Sequence, residues 1–158
     1  MHPLGRRSIR LQEYDYRSDG AYFVTICTFN RKRSITESRK LLLKHELKAL
    51  EVRFQGLHLD FYIFMANHIH VIFTFRNVAT ELSKVVQTYK SRTTIGIRKG
   101  GYTAPKFWQR NYYERVIRNQ EELNVLREYI RLNPEQERFD FQEILRQKGR
   151  ASSTPTAL

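Results

Sequence analysis

Cysteine is nearly missing from this sequence: Cys27 is the one thiol in 158 residues. That excludes an internal disulfide framework and a cysteine-rich zinc site. Within AYFVTICTF the residue reads as a small core side chain. Long apolar runs are missing too, and nothing approaches the ~20 residues that span a bilayer. The opening MHPLGRRSIRL is basic but has no apolar stretch of the kind a signal peptide needs. No internal repeat is present. These absences predict a cytoplasmic protein without a membrane partner. The length predicts one domain with a real core.

Acidic residues are also scarce, 16 against 28 lysines and arginines, so the net charge is +12 and the pI about 10.1. An excess this large on a small domain points to a polyanion, because each neutralised phosphate releases counterions. Aromatic residues make up 13% of the chain, enough to supply stacking platforms for unpaired bases. The plainer alternative is a basic, soluble surface with no such partner.

Hydrophobic periodicity orders the chain. Residues 1–20 read as a basic arm carrying Arg6, Arg7 and Arg10. Ala21 to Phe29 is a β-rich strand, followed by a charged turn or strand extension at Arg31 to Arg33. Leu42, Leu43, Leu47 and Leu50 predict an amphipathic helix over 36–54 that stops by Gly56. Two strands follow, 57–65 and 69–75, with a turn or irregularity at Ala66 and Asn67. A helix over 79–97 comes next, then a strand drawn from the aromatic run 107–117. Asn119 and Glu122 form a capping pair for a third helix that Pro134 ends. A short helix over 139–148 and a small polar tail close the chain. The order predicts an α+β fold: a ferredoxin-like or RRM-like βαββαβ antiparallel sheet, helices on one face and the other face open, plus a C-terminal helix. Residues 1–140 form the domain and its arm; 141–158 form the short helix and tail.

The stretch FIFMANHIHVIFTF holds the first candidate chemistry. His68 and His70 lie one residue apart and project from one face of their strand, while Ile69, Val71, Phe73 and Phe75 project from the other. Two imidazoles at that spacing can ligate one metal, or they can be structural histidines on a partly exposed strand. In REYIRLNP, Tyr129 and Asn133 are four apart, hence on one helical face. Asn133 can add an amide oxygen to a metal, and Tyr129 a phenol that attacks phosphorus once deprotonated. Two imidazoles and an amide oxygen suit Mg²⁺ or Mn²⁺ better than structural zinc. Both imidazoles lie away from the predicted core, so replacing them by Ala should leave the fold nearly intact.

ANHIH, read with WQRNYYERVIRN and REYIRLNP, closely resembles the HUH-type single-tyrosine transposases of bacterial insertion sequences, and most of all the REP-associated tyrosine transposases. YDYRSDGAYFVTICTFNRKR and QTYKSRTT are similar as well, so the resemblance runs to about Phe139. It implies that His68 and His70 ligate the metal, that Tyr129 is the catalytic tyrosine and that Asn133 is the third ligand. It also implies cutting and rejoining of single-stranded DNA hairpins through a 5′-phosphotyrosine, by a nucleoid-associated protein that can act as a homodimer. Many relatives have Pro where this chain has Ala66, which loosens the turn that aims His68.

Arg6, Arg7, Arg10, Arg31, Arg33, Lys90 and Arg92 are the candidate DNA phosphate contacts. Trp108 and Tyr112 either stack bases or pack the sheet, and Phe107 belongs to the core. Two other functions compete: a hairpin-binding protein without chemistry, and an RNA-binding domain of RRM type. The second has no clear RNP-like aromatic signature in its first and third strands and leaves Tyr129 and Asn133 unused.

Overall fold

Alternation of large apolar residues with Thr and Cys makes Gly20–Cys27 a central strand, β1, buried from Tyr22 onward. The computed structural model describes residues 19–136 together with 143, 144, 146 and 147. The arm with Arg6, Arg7 and Arg10 and the final polar tail lie outside the described residues. After β1 come a 3-10 turn at Phe29–Arg31, α1 at Glu37–Arg53, β2 at Leu57–Phe64 and β3 at His68–Phe75. Then follow α2 at Leu82–Lys99, β4 at Tyr113–Ile117 and α3 at Gln120–Leu132. The sheet order is β2-β3-β1-β4 and every neighbouring pair is antiparallel, so this is an α+β fold, with α1, α2 and α3 as its helices between residues 19 and 136.

Alternation splits the sheet's side chains into two sets. Tyr22, Val24 and Ile26 of β1 and Ile69, Val71, Phe73 and Phe75 of β3 meet Leu43, Leu47 and Leu50 of α1 and Val85, Val86 and Tyr89 of α2. The Tyr89 hydroxyl donates to the Leu43 carbonyl at 3.1 Å, so the one polar atom of that buried ring is satisfied. Gly96 sits where an added Cβ would lie 2.8 Å from a Leu42 methyl, which fixes how closely α2 approaches α1. At Gly56 the chain turns out of α1 with φ +89°, a left-handed conformation that a side chain would strain.

The opposite face is not open. Phe23, Ile72 and Ile117 lie under Leu123, Leu126 and Ile130 of α3, and Ile144 joins them. Each fully buried aliphatic side chain favours closure by roughly 1.5–3 kcal/mol, so α3 is a packed layer and not a loose appendage. A pair at the sheet edge adds to this: Arg127 Nε donates to Asp60 Oδ1 at 2.6 Å, and a second guanidinium nitrogen reaches Asp60 Oδ2. Asp60 sits at a register shift in β2 between Leu59 and Phe61.

α3 begins as its sequence predicts. The Asn119 side chain accepts from the Glu122 N–H at 2.9 Å, and the Glu122 carboxylate accepts from the Arg118 N–H at 2.8 Å. The last strand is shorter than its aromatic run suggests. β4 starts at Tyr113, and upstream only Trp108 makes an isolated bridge, to Thr28. Of the predicted short final helix, the four described residues 143, 144, 146 and 147 are helical.

Candidate active site

β3 starts at His68 because Met65, Ala66 and Asn67 turn the chain, the Met65 N–H donating to the His68 carbonyl at 2.8 Å. His68 and His70 do share a face, and α3 closes over it: the two residues are 1% and 0% exposed. Each ring is held at both nitrogens. His68 Nδ1 lies 2.7 Å from Asn67 Oδ1, and His70 Nδ1 lies 2.9 Å from Thr25 Oγ1. The two Nε2 atoms converge on one oxygen, the Pro134 carbonyl, at 2.9 and 3.2 Å.

Asn67 and Thr25 were not predicted from the sequence. Thr25 lies 45 residues from His70 and meets it only through the antiparallel register. Asn67 is anchored in turn: its carbonyl accepts from the Thr28 N–H and hydroxyl at 2.9 and 3.1 Å, and its amide donates to the Arg31 carbonyl at 3.4 Å. Asn30 and Arg31 adopt left-handed φ of 52° and 51° to deliver that carbonyl. Such a conformation costs a non-glycine residue of order 1 kcal/mol or more, and such residues cluster where geometry has a function.

Burial chiefly, and the neighbouring imidazole of His68, lower the pKa of His70 from 6.5 to about 3. The ring is therefore neutral at ordinary pH, which metal ligation requires. The folded state refuses a proton that the unfolded chain accepts at 6.5, so stability from this group is complete above pH 6.5 and is lost as pH falls toward 3. In chelator, urea unfolding across that window should show about 1.4 kcal/mol per pH unit that His70→Gln does not show. Identical slopes for the two proteins would place the burial cost elsewhere.

Tyr129 and Asn133 are placed differently from one continuous helical face. Tyr129 is on the last turn of α3, half-buried against the second core, and its hydroxyl donates to Gln136 Oε1 at 3.0 Å. Asn133 is the residue just past the helix, with φ −132° and ψ 53°. Its amide donates back to the Tyr129 carbonyl at 3.1 Å, a C-cap rather than a contact with the imidazoles. The turn 133–136 nevertheless joins all of these groups. Pro134 meets both imidazoles and Gln136 meets the phenol.

The donor set fits a divalent cation. Two imidazoles converge, and each has an outer partner at Nδ1 that can fix its tautomer, as metal-ligating histidines usually have. No cluster of three His, Cys, Asp or Glu exists among the described residues. Among the described residues the further ligands on offer are amide and carbonyl oxygens, with phosphate or water oxygens beside them, a set that suits Mg²⁺ or Mn²⁺.

The predicted phosphate contacts separate into groups. Arg31 and Arg33 lie in the turn beside Asn67, at the imidazole end of the sheet. Lys90 must be corrected. Its ammonium turns inward and donates to the carbonyls of Gln109, Arg110 and Asn111 at 2.7, 3.2 and 3.0 Å. Arg92 Nε is paired with Glu46 at 2.9 Å, linking α2 to α1. Trp108 is core, its indole donating to Thr93 Oγ1 at 2.8 Å, and Phe107 is core beside it.

An uncharacterized protein of Haemophilus influenzae is 29% identical over 159 residues, covering 82% of this chain and 88% of its own. Among solved structures, a REP-associated tyrosine transposase bound to a REP hairpin superimposes with a TM-score of 0.65 at 20% identity, covering 77% of this chain and 70% of that one. A transposase candidate from Deinococcus radiodurans R1 gives 0.55 at 14% identity, covering 75% and 93%. These two share the fold. Among the described residues no helix is long and apolar enough to cross a membrane. The model of the family described as "Transposase IS200 like" matches residues 17–133, most of the chain, and the protein belongs to that family.

Proposed function

We propose that the protein is a metal-dependent nuclease and strand transferase acting on single-stranded DNA at hairpin-forming repeats, with residues to about 140 as one catalytic domain. The observation that carries this is the convergence of two buried imidazoles on the turn that directly follows the helix bearing Tyr129. A hairpin-bound structure of the same fold supports the substrate class. Membership of a family of HUH tyrosine nucleases supports the chemistry.

His68 and His70 would hold the metal, and Asn133 is the proposed third ligand. Its Oδ1 has no hydrogen-bond partner among the described residues, and a side-chain rotation would free it from the C-cap. When bound, the ion polarises a phosphate and offsets the charge that develops on it. Tyr129 supplies the nucleophile: its phenol loses a proton to solvent, the oxygen bonds to phosphorus, and the bond from phosphorus to the 3′ oxygen breaks. The products are a 5′-phosphotyrosine and a 3′-hydroxyl, and attack by a 3′-hydroxyl reverses the step. Gln136 accepts the phenol's hydrogen bond and orients it. Asn67 and Thr25 hold the imidazoles.

The test is incubation with Mn²⁺ and labelled single-stranded DNA containing inverted repeats, followed by denaturing electrophoresis. A covalent protein–DNA band supports the proposal, and binding without any adduct leaves hairpin binding alone. One observation favours that second reading: the Asn133 amide is turned away from the imidazoles.

Arg31 and Arg33, with Arg6, Arg7 and Arg10 of the arm, are proposed to contact phosphates. On single strands, log K should fall with log salt by about 0.7 per phosphate neutralised. Removing Arg31 and Arg33 together should make that slope shallower in an anisotropy titration. An unchanged slope would exclude the pair.

A further inference from the structure

The stretch from Gln109 to Tyr112 leaves the sheet between two anchors. Tyr113 pairs with Thr25 on the β4 side, and Trp108 bridges to Thr28 on the other. Ile26 and Cys27 of β1 therefore face four residues, a bulge with two residues to spare. Its base is closed by backbone bonds, Gln109 N–H to the Cys27 carbonyl at 2.9 Å and Phe29 N–H to the Phe107 carbonyl at 2.8 Å. The buried Trp108, bonded to Thr93, fixes one end to α2.

Lys90 fixes the bulge itself. One ammonium donating to three consecutive carbonyls uses all three of its N–H groups. The Tyr112 ring lies 5.7 Å from the same nitrogen. The three bonds offset the cost of drawing this ammonium partly out of water, and together they fix the shape of the excursion. With the carbonyls drawn inward, Arg110 and Asn111 are left exposed.

The location gives the excursion a use. Cys27, whose carbonyl anchors it, is the direct cross-strand partner of His68. The base of the bulge therefore lies two strand spacings, about 10 Å, from the backbone of His68. Arg31 and Arg33 lie in the turn that follows β1, at the same end of the sheet. Bulges commonly occur beside active sites, where they re-aim side chains.

We propose that the bulge from Gln109 to Tyr112 is a docking element for the single-stranded DNA flanking the cleaved phosphate. Arg110 meets a backbone phosphate and Asn111 meets a base edge, while Lys90 is the positioning residue that holds their backbone. This rests on the proposed nuclease function and adds to it the surface that selects the strand. An amide suits the task because it offers a donor and an acceptor to one base.

Binding in chelator isolates the question from cleavage. Three inverted-repeat DNA hairpins would be titrated by anisotropy, one with a single-stranded 5′ extension, one with a 3′ extension and one blunt. Wild type should prefer one extended hairpin. Asn111→Ala should reduce that preference about tenfold, the scale of one amide–base contact. Arg110→Ala should make the salt slope for that probe shallower by about 0.7 and leave the blunt probe unaffected. Lys90→Met should reduce the preference in the same way, with blunt-hairpin affinity retained. If Lys90→Met fails to fold, the two exposed substitutions still decide. A wild type that prefers an extension, with Arg110→Ala and Asn111→Ala unchanged, would overturn this inference alone. A wild type that binds no hairpin would overturn the nuclease proposal and this inference with it.

Discussion

Tyr129→Phe should abolish the covalent protein–DNA adduct and leave hairpin affinity nearly unchanged. The substitution removes one oxygen. The hydrogen bond it makes to Gln136 is solvent-exposed, and the ring keeps its place against the second core. Such a bond is worth about 1 kcal/mol at most, so the melting temperature should fall by no more than about 4 °C. Chemistry responds differently. Without the phenol oxygen no phosphotyrosine can form, so single-strand cleavage in Mn²⁺ should drop to background. An adduct that persists would move the nucleophile, and the structure ranks the alternatives. Tyr113 stands opposite Thr25, the residue that holds His70, and packs on the second core. Tyr112 packs against the first core, beside Lys90. Tyr113→Phe would be the next variant.

What could be read from the chain follows from the range of the interactions. β1, α1 and the capped start of α3 are written in local periodicity and in side chains three or four residues apart, and each is found within a few residues of its predicted bounds. The pairing of His68 with His70 follows from strand alternation alone. What covers them does not. Ile72 shares their face, but whether an apolar residue there meets water or a helix is decided by α3, some 50 residues later. Lys90 illustrates the same limit for charge. In sequence a lysine on a basic helix looks like a phosphate contact, whether its ammonium meets solvent or three carbonyls of another loop. The aromatic run from Phe107 to Ile117 reads as one strand because the bulge inside it is closed by backbone bonds to Cys27 and Phe29 and by Lys90, none of them local. Thr25 and Asn67 were missed because Thr and Asn carry no signal until a partner is placed beside them.

That closed second face changes the expected result of removing the imidazoles. His68→Ala with His70→Ala should abolish metal-dependent cleavage and also destabilise the protein. Open-face histidines could be truncated at little cost, but these are 1% and 0% exposed beneath α3. Deleting both rings leaves a void beside Phe23, whose ring centroid lies 5.4 Å from that of His70. It also strips the Thr25 hydroxyl, the Asn67 side-chain oxygen and the Pro134 carbonyl of their imidazole partners. Large-to-small changes in a core cost ~2–5 kcal/mol each, and stranded buried polar groups ~1–3 kcal/mol. The two sites touch, so their costs will not simply add. Urea unfolding in chelator should show a loss of several kcal/mol. Because so damaged a protein can lose activity through unfolding alone, His68→Gln is the discriminating companion. It nearly preserves volume and can still hydrogen-bond, yet replaces an imidazole ligand with a weaker amide. It should remain folded, need far more Mn²⁺ for cleavage, and lose the melting-temperature rise that Mn²⁺ gives the wild type as a ligand of the folded state. A His68→Gln protein with an unchanged Mn²⁺ midpoint and the same thermal shift would make these histidines structural, two polar plugs between the sheet and α3. A shifted midpoint in a folded protein would assign them to the metal.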